Sequence, residues 1–172
     1  MALNIARQGI VSSLRRQVRV TGFRSFSSES GDASGDMTLN FNLPHETIYE
    51  GAKVKQVIVP GATGEYGVTA DHSPIVAQMK AGVLQIMHAD GEPEKYFVSG
   101  GFSLTHPGSI TDITCPEAVK LDDIDPSAVT SAYESAKAAF AGAEAGSIAQ
   151  AEAQIDLEVN RSMASAIGLT VS

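Results

Sequence analysis

The stretch AGVLQIMHADGEPEKYFVSGG, residues 81–101, has two apolar runs on either side of a polar segment that contains Asp90 and Gly91. Apolar runs bounded by turn-forming residues are typical of strands, and Asp-Gly is typical of a tight hairpin turn. We therefore predict a β-hairpin here. The next segment, GFSLTHPGSITDIT at residues 101–114, repeats the arrangement around Pro107 and Gly108 and predicts a second hairpin.

The residues before these hairpins also follow strand patterns. In MTLNFNL, residues 37–43, Leu39, Phe41 and Leu43 alternate with polar residues, which predicts a half-buried strand. The segment AKVKQVIVPG, residues 52–61, predicts another strand that ends at its Pro-Gly pair. Short strands at this spacing are typical of all-β sandwiches, so we predict a β-sandwich over residues 37–121.

Beyond the predicted sandwich, the apolar residues repeat with the period of a helix. Asp125 is a favourable N-cap and Pro126 a favourable first helical residue. After a break at Gly142 and Gly146, Ser147 is positioned to cap a second helix. The predicted apolar stripes are Val129, Ala132, Tyr133, Ala136 and Phe140 on the first helix, and Ile148, Ala151, Ile155 and Val159 on the second. We predict an antiparallel helical hairpin over residues 125–172.

The N-terminal residues 1–26 contain five arginines and no acidic residue. Arg-rich, acid-free sequences with apolar residues at helical spacing are typical of organellar import signals. We predict a mitochondrial transit peptide over residues 1–26, with cleavage after Phe26, and a flexible linker over residues 27–36, which are small and polar. A basic arm that binds nucleic acid remains the alternative for the first segment.

Charge and cysteine content exclude several classes of protein. Removing five arginines and no acid takes the formal net charge from −8 to −13, which disfavours binding to nucleic acid or anionic lipid. No apolar run approaches the ~20 residues of a membrane-spanning helix. The single cysteine, Cys115, excludes an intrachain disulfide and a cysteine-based zinc cluster.

Asp71, His72 and Ser73 are the residue types of a hydrolase triad, but they are adjacent. A triad needs a base in reach of both partners, whereas successive side chains of an extended chain point to opposite faces. A capped turn before Pro74 is therefore favoured. We interpret Cys115 as a small buried residue, and the histidines fall at no metal-ligand spacing. We predict no catalytic, cofactor-binding or metal site and no cofactor, as expected for an interaction protein.

Two longer stretches carry a family resemblance. GATGEYGVTADHSPIVAQMKAGVLQI, residues 61–86, and KYFVSGGFSLTHPGSITDITCPEAVKLDDID, residues 95–125, resemble the delta-subunit family of mitochondrial F-type ATP synthases, equivalent to the bacterial epsilon subunits. The resemblance implies a non-catalytic central-stalk subunit of the proton-transporting ATP synthase. It also implies a place on the matrix side of the mitochondrial inner membrane, peripheral to it, with the gamma subunit, the c ring and a small mitochondrial epsilon subunit as partners.

The resemblance further implies site residues. The turn formed by Gly64, Glu65, Tyr66 and Gly67 is expected to contact the c ring, and His72 and Pro74 are expected to support this loop from behind. Bacterial members that bind ATP carry Ile or Leu, Asp, two variable residues, Arg and Ala at the start of the first helix. The corresponding residues 121–126 have Asp125 where the arginine would stand, which implies that the ATP site is absent.

Two other functions remain open from the residues alone. One is a free-standing organellar ligand-binding sandwich, which would be a soluble monomer. The other is a small hydrolase that uses Ser73 or Cys115 as its nucleophile, which would require an activating base near one of them.

Overall fold

The computed structural model describes residues 35–171. The predicted transit peptide, residues 1–26, lies outside the described residues, and so does the predicted linker up to residue 34. The strands are β1 (Met37–Asn42), β2 (Thr47–Val54), β3 (Gln56–Gly61), β4 (Gly64–Thr69), β5 (Ile75–Met79), β6 (Gly82–Met87), β7 (Glu94–Val98), β8 (Gly101–His106), β9 (Ile110–Thr114) and β10 (Ala118–Lys120). A single 3-10 turn, Leu121–Asp123, leads to the helices α1 (Pro126–Gly142) and α2 (Ile148–Ala166).

The strands form a sandwich whose order is β10-β7-β6-β3-β5-β8-β9-β1-β2, with β4 paired to β3. The β-sandwich followed by a helical hairpin confirms the predicted fold class. Both predicted hairpins are confirmed, because β6 pairs antiparallel with β7 and β8 pairs antiparallel with β9.

The single strand predicted over residues 52–61 is wrong. The chain leaves β2 after Val54 and enters β3 at Gln56, and these two strands pair with different neighbours. Between them, the main-chain N–H of Lys55 donates to the carbonyl of Met87 at 2.8 Å. The apolar pattern continues through this crossover because both strands bury residues in the same core, so the pattern does not reveal the change of partner.

The core lies between the inner faces of the strands. Met37, Leu39 and Phe41 are fully buried on one face of β1, while Asn40 and Asn42 face the other way, as the alternation predicts. The remaining members of this core cluster are Leu43, Val54, Val57, Val59, Val68, Met79, Leu84, Ile86, Tyr96, Val98, Ile113 and Cys115.

Both predicted helix caps are confirmed. The carboxylate of Asp125 accepts a hydrogen bond from the Ser127 N–H at 2.8 Å, and the Ser147 hydroxyl accepts one from the Gln150 N–H at 3.1 Å. In α1, three members of the predicted stripe are buried, namely Val129, Tyr133 and Ala136.

The apolar stripe predicted for α2 is wrong. Ile148 is 79% exposed and Ile155 is 61% exposed, whereas Ala153 and Ala164 are buried. Small residues let two helices approach closely, so the alanine positions form the packing face and the larger isoleucines face outward. Within the described residues, neither helix combines the length and apolar character that crossing a membrane requires.

Candidate functional site

The prediction that Gly64–Gly67 form a turn is wrong, because these residues are the first part of strand β4. The turn itself is a tight β-turn that precedes them, between β3 and β4. Gly61 pairs with Gly64, so Ala62 and Thr63 form a two-residue loop. Gly64 has a φ of +141°, which favours glycine, and a Cβ on Gly61 would lie 2.7 Å from the Gly64 carbonyl oxygen. Both glycines are thus needed for this close approach. Within the described residues β4 pairs with β3 alone, so the turn lies at an edge of the sandwich.

The two side chains that follow the turn, at the start of β4, face different surroundings. Glu65 is exposed and lies at the rim of a cavity of about 570 Å³, which is also lined by Lys80, Lys95 and Arg161. Tyr66 is partly buried against the core, and its hydroxyl is buried without a hydrogen-bond partner. Glu65 therefore offers a charge to a partner, while much of Tyr66 is already used in packing.

The structure does not bring His72 and Pro74 to this turn. Both residues follow the opposite end of β4, and a six-residue strand is about 20 Å long. His72 Nδ1 lies 2.8 Å from the carbonyl oxygen of Ser73 instead. The two residues therefore lie far from the β3–β4 turn, and their expected support of residues 64–67 stays a prediction.

The turn is held by the end of β5. The Ala62 N–H donates to the Gln78 carbonyl at 2.9 Å, and the Lys80 N–H donates to the Pro60 carbonyl at 2.9 Å. These main-chain bonds fix the β3 side of the turn, and no side-chain motif in the sequence signals them.

The hydrolase constellation is not assembled. His72 contacts the main-chain oxygen of Ser73, and Asp71 pairs with Ser109 on another loop. Cys115 is buried, and burial raises the pKa of its thiol to about 11, so it is not an activated nucleophile. Among residues 35–171, no three His, Cys, Asp or Glu side chains are grouped as metal ligands.

Two exposed apolar surfaces were missed from the sequence. Val76 is 72% exposed on β5 and Phe102 is 54% exposed on the adjacent β8. A second surface is an almost wholly apolar groove of about 270 Å³ between β10 and the helices, lined in part by Val119, Val129 and Met163. The sequence offered one signal for Phe102: it is a large apolar residue at an outward position of a strand whose side chains alternate. Exposed apolar patches of this kind are typical of protein interfaces.

A family model described as ATP synthase, Delta/Epsilon chain, beta-sandwich domain matches residues 36–120. The chain is 37% identical over 147 residues to the ATP synthase F(1) complex subunit delta, mitochondrial, of Dictyostelium discoideum, covering 86% of each chain. It is 39% identical over 155 residues to the mitochondrial ATP synthase subunit delta of Eremothecium gossypii, covering 90% of this chain and 94% of the relative.

A solved structure is also similar to this chain. The chain is similar to a chain in the cryo-EM structure of the Euglena gracilis mitochondrial ATP synthase, OSCP/F1/c-ring in rotational state 1. That match has a TM-score of 0.72 and 27% identity, and it covers 80% of this chain and 85% of the other.

Proposed function

The chain belongs to the family of mitochondrial ATP synthase delta subunits, and on this premise we propose that it is a non-catalytic central-stalk subunit that links the gamma subunit to the c ring. In this role it couples proton-driven rotation of the ring to ATP synthesis in the catalytic head. The observation that carries the proposal is the similarity to mitochondrial delta subunits along nearly the whole chain, helices included.

The edge segment Gly64–Glu65–Tyr66–Gly67, at the start of β4, is the proposed contact with the c ring. Its support is the combination of a glycine-fixed backbone and an exposed carboxylate at the sandwich edge. Glu65 would meet cationic or polar groups of the ring, and a rim charge pair of this kind is worth about 0.2–1 kcal/mol, more when it is desolvated.

Charge reversal at Glu65, in the edge segment, tests the ring contact. In purified complexes, Glu65→Lys should weaken the coupling of proton flow to ATP synthesis and leave ATP hydrolysis by the detached head unchanged. Glu65→Gln should have a smaller effect. Glu92→Lys, the same reversal on an exposed residue of the β6–β7 connection, is the matched control. Normal coupling in the Glu65→Lys complex would show that this edge segment is not the ring contact.

The apolar groove beside α1 and α2 is the proposed seat of the small mitochondrial epsilon subunit. Val119 is 43% exposed at this groove, and Ile148 and Ile155 are two further exposed apolar side chains on α2. Covering these side chains removes apolar area from water, which favours association.

Native electrophoresis of organelle membranes tests the assignment to the complex. A stalk subunit migrates with the ATP synthase, and its peptides are found in that band. A free-standing ligand-binding sandwich would instead be recovered as a monomer in the soluble fraction, and this outcome would overturn the proposal.

The chain is a mitochondrial protein by its relatives, and we propose the matrix side of the inner membrane as its location. The import signal proposed for residues 1–26, followed by a linker over residues 27–36, agrees with their composition. N-terminal sequencing of the subunit in the assembled complex should give a first residue near Ser27. An intact Met1 or Ala2 would exclude the transit peptide.

A further inference from the structure

The outer face of the sheet formed by β5, β8, β9 and β1 has an apolar half and a polar half. In the apolar half, Val76 pairs with Leu104 and Gln78 pairs with Phe102. Val76 is 72% exposed and Phe102 is 54% exposed, and Leu104 is half-buried beside them. Large aromatic side chains in such positions are typical anchors of protein interfaces.

The polar half contains the carboxylate of Asp112, which hydrogen bonds hold in place. The Asn40 side-chain amide donates to Asp112 Oδ1 at 2.6 Å, and His106 Nε2 lies 2.8 Å from Asp112 Oδ2. Asn40 is oriented in turn by the Gly51 N–H, which donates to its Oδ1 at 2.7 Å. The hydrogen bonds thus cross four strands and hold the Asp112 carboxylate in one orientation. A group fixed before binding loses little conformational entropy when a partner arrives.

The two halves are contiguous. Asp112 pairs directly with Leu104 across β8 and β9, so the fixed carboxylate is next to the apolar patch. The groove in front of it has a volume of about 530 Å³. Its lining residues are Asn40, Asn42, Thr47, Glu50, Leu104, Asp112 and Thr114. This lining has two carboxylates, and among the described residues no lysine or arginine lines it. The groove therefore favours a cationic group.

We propose that this outer face recognises a segment of a partner protein that places an arginine or lysine side chain against Asp112 and an apolar side chain against Phe102 and Val76. The inference rests on the proposed function and adds the chemistry of one stalk interface to it. A second copy of this chain fits poorly, because a symmetric contact would bring Asp112 and Glu50 close to their own counterparts.

A photo-crosslinking residue at Val76 in the assembled complex tests the proposal. Val76 is the most exposed member of the apolar half, and replacing it leaves Phe102 and Asp112 intact. The expected result is a crosslink to one partner segment that contains an arginine or lysine next to apolar residues. Glu50→Lys and Phe102→Ser should each lower the yield of this crosslink by about tenfold. Asp90→Lys, a reversal on the exposed β6–β7 connection, should leave the yield unchanged.

Glu50→Lys reverses a groove charge without removing a member of the hydrogen-bonded network, so it tests recognition even if Asp112 variants fold poorly. A crosslink to a second copy of this chain, to an acidic segment or to no protein would overturn the inference, and so would an unchanged yield in Glu50→Lys. These outcomes are distinct from failure of the proposed function, in which the unmodified chain would not be found in the ATP synthase at all.

Discussion

Two hydrogen bonds join Asp71 and Ser109, which lie on different loops and are 38 residues apart in the chain. The Asp71 N–H donates to Ser109 Oγ at 2.9 Å, and the Ser109 hydroxyl donates to Asp71 Oδ1 at 3.2 Å. Both residues have positive φ values, 57° and 61°, which are unusual for residues other than glycine. The pair thus fixes the β4–β5 and β8–β9 connections together at some cost in backbone strain.

Separating strain from hydrogen bonding at Ser109 tests this pair. Ser109→Ala removes the bonds and keeps the strained backbone, so we expect a loss of about 1–3 kcal/mol in the free energy of unfolding. Ser109→Gly also removes the bonds but tolerates the positive φ, so its loss should be smaller. Urea unfolding of both variants measures the difference. An equal loss would mean that the φ at Ser109 carries no cost.

Gly101 should tolerate no side chain. Its φ is +129°, and a Cβ there would collide with the Thr114 carbonyl oxygen and lie 2.8 Å from Cys115 Cα. We expect Gly101→Ala to cost about 2–4 kcal/mol of unfolding free energy. Gly142→Ala is the matched control, because a Cβ at the end of α1 meets open space; it should be neutral or stabilising by up to about 1 kcal/mol. Comparable urea midpoints for the two variants would contradict the steric argument.

Glu94 interacts with residues of three strands and should make the free energy of unfolding depend on pH in the acid range. The Tyr96 hydroxyl donates to its carboxylate at 3.1 Å, and Lys120 and His88 lie 3.4 and 3.3 Å away. Burial alone would raise the pKa of the Glu94 carboxyl, but hydrogen bonds from Tyr49 and Tyr96 and the Lys120 charge outweigh it, so the net shift is downward. The stabilisation is therefore present above the unfolded-state pKa of about 4.3 and is lost as the pH falls through the folded-state pKa.

Glu94→Gln should flatten this dependence. Urea unfolding near neutral pH and again about one unit below the ordinary glutamate pKa should show a smaller loss for the variant than for the parent. Other carboxylates titrate in both proteins, so the difference between the two curves is the quantity to compare. Parallel curves would exclude Glu94 as the source.

ATP should not bind to this chain with micromolar affinity. Asp125 stands where ATP-binding relatives carry arginine, and its carboxylate is committed to capping α1 through Ser127. Hydrogen bonds from the Ser127 side chain and main chain lower the pKa of Asp125, so it is an anion at neutral pH. Arg161, which lines the cavity of about 570 Å³ beside Glu65, donates a hydrogen bond to the Tyr133 hydroxyl at 3.3 Å. Calorimetry of ATP with the mature chain measures the affinity, and a micromolar dissociation constant would refute the prediction.

The features that were correctly predicted depend on neighbouring residues. Three kinds of feature each depend on a few neighbouring residues, so they can be predicted from the sequence. They are the alternation in residues 37–43, the two hairpin turns, and the caps at Asp125 and Ser147. The packing face of α2 could not be predicted in this way. Its isoleucines satisfied the period of an amphipathic helix, but the contact with α1 selected the alanines.

Sequence alone determined that this chain forms short strands followed by a capped helical hairpin, because side-chain alternation, turn residues and caps are local. The tertiary structure alone decided which distant groups meet. The parallel pairing of β1 with β9 places Asn40 beside Asp112, 72 residues away, and the course of β4 separates His72 from Glu65. Such contacts depend on closing long loops and on the register of every intervening strand, which no local pattern encodes.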